Sequence, residues 1–419
     1  MTALTAAAAA RDGNDPIFRL HGEATRRART GESILNATLG ALVHDDGRLA
    51  VMPSSAEAFS RVPPEQAAGY APISGSPDFL DAVIADVFEG TDLAGQAVAV
   101  ATPGCTGALH AAFQNFLEPG QAALTSSHYW GSYNAIAQYS GRAIATFNMF
   151  NDRLRFDMPA FEAGLAGSIE RQGRALVLFS FPCHNPTGYS LDADEWQAVS
   201  TIVRDAGADA PIAFLLDNAY AAFGSGTNQW VAYMPRMIET STVLVGWTIS
   251  KSFAQYGARV GALIAAHRDQ SEREQLASSL GYSCRATWSN CNHAGQIAAT
   301  ELLTDPELKA RADEERAGLI ALLRERVDTF NEAAGEAGLA YPRYDGGFFV
   351  SVFTPDSEIT AARMRETGVY VLPMPGAVRV ALCATPVASI PRLVTALAEG
   401  IAAARDASEV ARDAGKAAS

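Results

Sequence analysis

The chain has 419 residues, 48% of them hydrophobic and 9% aromatic, which is ample for a sizeable core and too apolar for a disordered chain. At roughly 150 residues per domain, this length holds two or three domains, or one large α/β domain with an appendage. Lys plus Arg is 32 against 46 for Asp plus Glu, a net charge of −14 that argues against nucleic acid or an anionic membrane as the main partner. In chain order, Met1–Asp15 is Ala-rich without the regions of a signal peptide and reads as a frayed tail. The short apolar runs Val98–Ala101, Ala122–Leu124, Ala175–Phe179, Ile212–Leu216 and Thr242–Val245 read as fully buried strands. Thr106–Phe116 and Asp194–Asp205 between them have helical spacing, and this alternation predicts a mostly parallel sheet covered on both faces. Beyond Pro306, Glu307–Ala334 predicts a long helix, Gly346–Val352 and Ala377–Leu382 predict strands of a second, smaller unit, and the end after about Ala404 reads as another frayed tail.

No apolar stretch is expected to reach the roughly 20 residues of a membrane span. Five scattered cysteines, Cys105, Cys183, Cys284, Cys291 and Cys383, show no metal-ligand spacing. The expectation is therefore no metal, no membrane, no nucleic acid and a reducing cytoplasm.

The chemistry gathers where strands end, because open α/β sheets bind ligands outside the carboxyl ends of their strands. After Val98–Ala101 stands Thr102-Pro103-Gly104-Cys105-Thr106-Gly107 ahead of a helix. Such a turn exposes backbone N–H groups to an anion, although a plain Gly-rich turn accounts for it equally. After Ala175–Phe179 comes Cys183-His184-Asn185-Pro186-Thr187-Gly188. After Ile212–Leu216 comes Asp217-Asn218-Ala219-Tyr220, in which Asp217 is either a helix cap or a buried acid that needs a partner. After Thr242–Val245 comes Thr248-Ile249-Ser250-Lys251 and then Tyr256-Gly257-Ala258-Arg259-Val260-Gly261, followed by a further apolar run. Lys251 alone could snorkel to the surface, but with Ser250 and Arg259 it suggests an amine nucleophile beside a phosphate site. One ligand asks for all of these groups: a pyridinium needs an acid, an imine needs a lysine, and a phosphate needs N–H groups and a cation.

In these motifs the chain resembles the fold-type-I pyridoxal phosphate (PLP) aminotransferases of class I/II, above all the aspartate and aromatic amino acid aminotransferases. The resemblance runs from about Asp15 to about Ala404 and includes Leu39-Gly40-Ala41, Asp45-Asp46-Gly47 and Tyr70-Ala71-Pro72-Ile73. It implies an α/β protein of PLP-dependent transferase fold type I, whose large domain carries a mostly parallel seven-stranded mixed sheet beside a smaller α+β domain. Residues 1–40 would be an N-terminal arm and part of the small domain, 41–318 the large PLP-binding domain, and 319–419 the C-terminal small domain.

The resemblance also implies roles. Lys251 would carry the cofactor as an imine and shuttle the proton, and Asp217 would keep the pyridine nitrogen protonated. Asn185 and Tyr220 would hydrogen-bond the ring hydroxyl, and Trp130 would stack on the ring. Gly104, Cys105 and Thr106, with Thr248 and Arg259, would cradle the phosphate. Tyr70 would reach the phosphate of a neighbouring subunit, implying a homodimer with shared active sites. Arg379 would pair with the substrate α-carboxylate, with Gly40 close to the substrate. Arg285 would read a distal carboxylate, or else form a structural ion pair at the interface. The implied function is transamination between an L-amino acid, dicarboxylic or also aromatic, and a 2-oxo acid. The alternatives are β- or γ-elimination or oxidase chemistry on the same site, or a non-catalytic PLP-binding regulator. Three positions depart from the aspartate enzymes. Tyr133 stands where a His usually supports the ring-nitrogen acid, Cys105 stands in the phosphate loop, and Trp288 lies in an altered stretch after Arg285.

Overall fold

A computed structural model describes residues 2–11, 13, 15–224 and 229–417, with side chains described up to 410. The chain divides into two compact units: residues 1–49, 325–341 and 349–419 form one, and 50–324 with 342–348 form the other.

The second unit is built on a seven-stranded sheet of β1 (Ala97–Thr102), β2 (Ala122–Ser126), β3 (Ala143–Phe147), β4 (Ala175–Phe179), β5 (Ile212–Asp217), β6 (Thr242–Thr248) and β7 (Gly261–Ala266). Its order is β1-β7-β6-β5-β4-β2-β3, and only β7 runs antiparallel to its neighbours. This is the mostly parallel mixed sheet expected of PLP fold type I. The apolar runs of β4 and β5 have no polar alternation because helices cover both faces. Strand periodicity sends Leu176, Leu178, Ala213 and Leu215 into one buried cluster with Leu109, Phe113 and Tyr133. Phe179 and Phe214, of opposite parity, meet edge to face at 5.1 Å. Asp217 shares the parity of Leu215, so the first cluster leads directly to its carboxylate. The strand β3 was not anticipated: its pattern of exposure and partial burial is that of an edge strand without a continuous apolar run.

The first unit holds a three-stranded antiparallel sheet, Leu372–Met374, Ala377–Ala381 and Phe349–Phe353 in that order, and a two-stranded parallel pair of Leu35–Asn36 with Val369–Tyr370. The expected long helix is Pro306–Glu336, with Asp305 accepting from the N–H groups of Glu307 and Leu308 at its start.

Three expectations need correction. Asp15 is no tail residue, because its carboxylate caps the helix Pro16–Arg29. Thr2–Arg11 includes the short helix Ala6–Ala9, and Met1, Asp12 and Asn14 lie outside the described residues. The chain after Ala404 continues the helix Ile390–Ala417, with Ala418 and Ser419 outside the described residues. By length and composition alone, Val387–Val410, which takes in most of this helix and the short turn before it, is apolar enough to cross a membrane. Its buried residues Ile390, Leu393, Leu397, Ile401 and Ala404 follow helical spacing along one face, while Arg392, Glu399 and Arg405 occupy other positions. That is the pattern of a core helix packed on its own unit.

Candidate active site

At the carboxyl end of β5 the Asp217 side chain is 5% exposed, and it is fully paired. Tyr133 Oη donates to Asp217 Oδ2 at 2.7 Å, Cys105 Sγ to Oδ1 at 3.1 Å, and the Ala219 N–H to Oδ1 at 3.3 Å. Burial pushes the Asp217 carboxyl above the usual range, while these donors and the charge of Lys251 pull it back. Burial and the Asp217 charge also hold the Cys105 thiol and the Tyr133 phenol well above their ordinary values. Support for the acid is thus remade by Tyr133, which is held edge-on to Trp130 at 5.7 Å and stacked with Tyr129 at 6.2 Å.

A second cluster surrounds the start of the helix Gly104–Phe116. Gly261 of β7 pairs with Thr102 on one side and Thr248 on the other, bringing the ends of β1 and β6 together. Gly104 has φ +70°, and a Cβ there would strike the Arg259 guanidinium. That guanidinium is aimed by the carbonyls of Tyr256, at 3.0 Å, and Pro103, at 3.4 Å, and lies 3.4 Å from Ser250 Oγ. Arg259 has φ 55°, a left-handed conformation unusual for a side-chain-bearing residue. Thr248 Oγ1 donates to the Val260 carbonyl at 3.0 Å and lies 2.9 Å from Ser250 Oγ. Thr106 is exposed in the first turn of the helix, and the Cys105 thiol is turned to Asp217. Any contribution of Cys105 to an anion therefore comes from its backbone.

Lys251 follows β6 directly and is half-buried, with Nζ 4.6 Å from the Tyr256 ring centre and 5.7 Å from that of Tyr220. Tyr220 is buried edge-on against Phe348. Asn185 is buried in its loop, and its neighbour His184 is fixed by Thr187 Oγ1 at 2.8 Å and by stacking on Phe181. Burial pushes the His184 imidazole down to about 3, so it is neutral at working pH.

These residues fit the cofactor implied by the motifs. A buried carboxylate whose two side-chain donors are uncharged suits a cationic ring N–H. A glycine held under a guanidinium, at a helix start beside two hydroxyls, suits a phosphate. No group of His, Cys, Asp and Glu among the described residues could hold a metal ion. The five cysteines are buried and unbridged.

Tyr70 is 91% exposed, and Arg285 is exposed with Nη1 donating to Ser289 Oγ at 2.8 Å. Among the described residues neither has a hydrogen bond or ion pair to the groups above. In the first unit, Arg379 on Ala377–Ala381 is 3% exposed. It donates to the Thr38 carbonyl at 2.8 Å and lies 4.2 Å from the Phe349 ring centre. Gly40 sits so close to the same ring that a Cβ would overlap it. Sequence reasoning did not foresee the Cys105–Asp217 contact or the use of Gly246 to make room for it.

The model of the family described as aminotransferase class I and II matches residues 33–397. An aromatic-amino-acid aminotransferase of Paracoccus denitrificans is 28% identical over 85% of this chain and 91% of its own length. An aspartate aminotransferase of Pseudomonas aeruginosa is 27% identical over 75% of this chain and 77% of its own. The crystal structure of an aminotransferase from Anaerococcus prevotii superposes with a TM-score of 0.90 at 30% identity, covering 96% of this chain and all of that one. With its fold, its buried acid and its strand-end lysine, the chain belongs to the aminotransferase class I and II family and is a transaminase that uses pyridoxal phosphate.

Proposed function

We propose that this transaminase moves amino groups between dicarboxylic and also aromatic L-amino acids and their 2-oxo acids, with the cofactor held by Lys251, Asp217, Asn185, Tyr220, Trp130, Gly104, Cys105, Thr106, Thr248 and Arg259. The observation that carries the assignment is Asp217, a buried carboxylate paired only with uncharged side-chain donors, one strand away from the strand that leads into Lys251. When bound, pyridoxal phosphate supplies an electron sink for negative charge at the substrate α-carbon. Lys251 Nζ takes and returns the proton at that carbon. Asp217 keeps the ring nitrogen protonated, and Asn185 Nδ2 and Tyr220 Oη hydrogen-bond the ring hydroxyl. Trp130 covers a ring face and excludes water from it. The Gly104–Thr106 backbone, the Thr248 hydroxyl and the Arg259 guanidinium bind the phosphate. Arg379 orients the substrate through its α-carboxylate, and Gly40 leaves room beside it.

The substrate range is supported by likeness to relatives named for both aromatic amino acids and aspartate. Arg285 reads the distal carboxylate of aspartate or glutamate, and Tyr282, Trp288 and Trp130 favour an aromatic side chain. The working form is a cytoplasmic homodimer in which Tyr70 reaches the phosphate of the second copy. Its 91% exposure, with Tyr282 at 76%, supports a surface that a partner covers.

Arg285→Ala tests the specificity. It should reduce dicarboxylate turnover far more than aromatic turnover, by about 3–5 kcal/mol in kcat/KM. Equal losses for both classes would return Arg285 to a structural role. A fully active monomer in sedimentation would refute the shared site.

A further inference from the structure

We propose that Cys105 and Tyr133 are positioning residues for the cofactor ring nitrogen, acting through Asp217 as a matched pair of uncharged donors, one to each carboxylate oxygen. The inference deepens the role given to Asp217 above and rests on that role.

Three observations carry it. First, the two donors come from different elements: Cys105 from the first turn of the helix Gly104–Phe116, and Tyr133 from the helix Ser132–Tyr139. They reach different oxygens, at 3.1 and 2.7 Å, so the carboxylate plane is fixed at both ends. Second, Tyr133 is locked in place. Tyr133 is 1% exposed between Trp130 and Tyr129, and Tyr129 is itself held by Asn134 Nδ2 at 2.7 Å. Third, the sheet makes room for the thiol. Gly246 on β6 is the register partner of Asp217 on β5, and a Cβ at 246 would come 2.6 Å from Cys105 Sγ. Glycine at 246 is therefore what lets the thiol reach the carboxylate.

The consequence is electrostatic. A cationic partner would share the Asp217 charge, whereas a hydroxyl and a thiol orient the carboxylate and leave its negative charge for the ring N–H. The other charges acting here are Lys251 on Asp217 and Arg259 on Cys105, and Ser180 also hydrogen-bonds Tyr133.

The test loads the full-length holoenzyme with cofactor labelled with nitrogen-15 in the ring and reads the nitrogen resonance beside steady-state kinetics. Tyr133→Phe removes one oxygen atom and keeps the ring packing. It is expected to move the resonance toward that of an unprotonated pyridine and to lower kcat by about 10- to 100-fold, with little change in KM. Cys105→Ala should shift the resonance in the same direction by less, Cys105→Ser should recover most of that shift, and Gly246→Ala should mimic Cys105→Ala. In an Asp217→Asn background, Tyr133→Phe should add less than about twofold, because the two act through one group. If Asp217→Asn moves the resonance while Tyr133→Phe and Cys105→Ala both leave it at the wild-type position, the proposal is overturned. If Asp217→Asn itself leaves it unmoved, the role of Asp217 fails and the proposal falls with it. Should Tyr133→Phe not fold, Cys105→Ala and Gly246→Ala decide the question alone.

Discussion

Replacing Asp217 with Asn should stabilise the cofactor-free protein while nearly abolishing turnover. Asn keeps the shape and one acceptor oxygen, but its amide sets N–H groups against Tyr133 Oη or Cys105 Sγ, both donors in the native arrangement. The hydroxyl or thiol can turn and accept instead, at a cost of about 1 kcal/mol. Against this stands the burial of a carboxylate that is 5% exposed, a penalty of several kcal/mol that three donors offset only in part. Burial is the larger influence, because the carboxyl is shifted up and not down. The net gain for the Asn variant is on the order of 1–2 kcal/mol at neutral pH. Its pH dependence has a definite sign. With the folded value above the unfolded one, the penalty is absent below about pH 4, grows as pH rises toward the folded value, and is complete above it. Thermal melts of cofactor-free protein should therefore favour the Asp217→Asn variant near pH 7, with the advantage fading toward pH 4. In the same preparation reloaded with cofactor, kcat/KM should fall by roughly 100- to 10,000-fold, because the ring nitrogen has lost a charged partner. Turnover within tenfold of the native enzyme, or a stability advantage that grows as pH falls, would refute the reasoning.

Lys251→Ala should lose turnover by several orders of magnitude, on the order of 1,000-fold or more, and borohydride treatment of the native holoenzyme should leave the cofactor on the peptide containing Lys251. Mass spectrometry that placed it on another lysine would be decisive against the assignment. Gly104→Ala should weaken cofactor retention by about tenfold or more, since it strains a φ of +70° and displaces the Arg259 guanidinium; cofactor titration followed by absorbance measures it. Arg326, fully buried, donates to the carbonyls of Val43 and Cys383 at 2.7 and 2.8 Å and pairs with Asp45 at 2.7 Å. Arg326→Leu should cost about 3–5 kcal/mol in urea unfolding, because it orphans buried carbonyls, and a loss under 1 kcal/mol would contradict that account.

The fold was legible where burial writes itself into composition. The strands β4, β5 and β6 are covered on both faces, so their residues are almost uniformly apolar and stand out between turn residues. The long helix announced itself by its charged amphipathic run after Pro306, and the structure adds the Asp305 cap at its start. Where burial is partial, the signal disappears. The strand β3 lies at the sheet edge, and the pairs Leu35–Asn36 and Val369–Tyr370 are two residues long, too short for any period to register. The C-terminal helix shows the opposite failure. Its Ala-, Arg- and Asp-rich end resembles a tail in composition, yet the backbone helix that buries Leu397, Ile401 and Ala404 runs on to Ala417.

The candidate site divides along the same line. Thr248 ends β6 and Lys251 follows three residues later, Asn185 lies in the loop after β4, and Arg259 stands two residues before β7, so local sequence alone places all four at strand ends. The partners of Asp217 stand 112 and 84 residues away in the chain. Strand alternation says that Asp217 shares a face with Ala213 and Leu215, but it does not say which helix covers that face. The crossover from β1 into the helix Gly104–Phe116 decides that, by laying Cys105, Ala108 and Leu109 over the same face. Once it is laid there, a Cβ on β6 at the register of Asp217 would occupy the volume of the thiol, so position 246 and position 105 are constrained as a pair. A Cys in a phosphate loop and a Gly in a buried strand each look unremarkable alone. Their meaning lies in the 2.6 Å that a methyl group at 246 would leave, a distance set by the sheet and carried by neither local sequence.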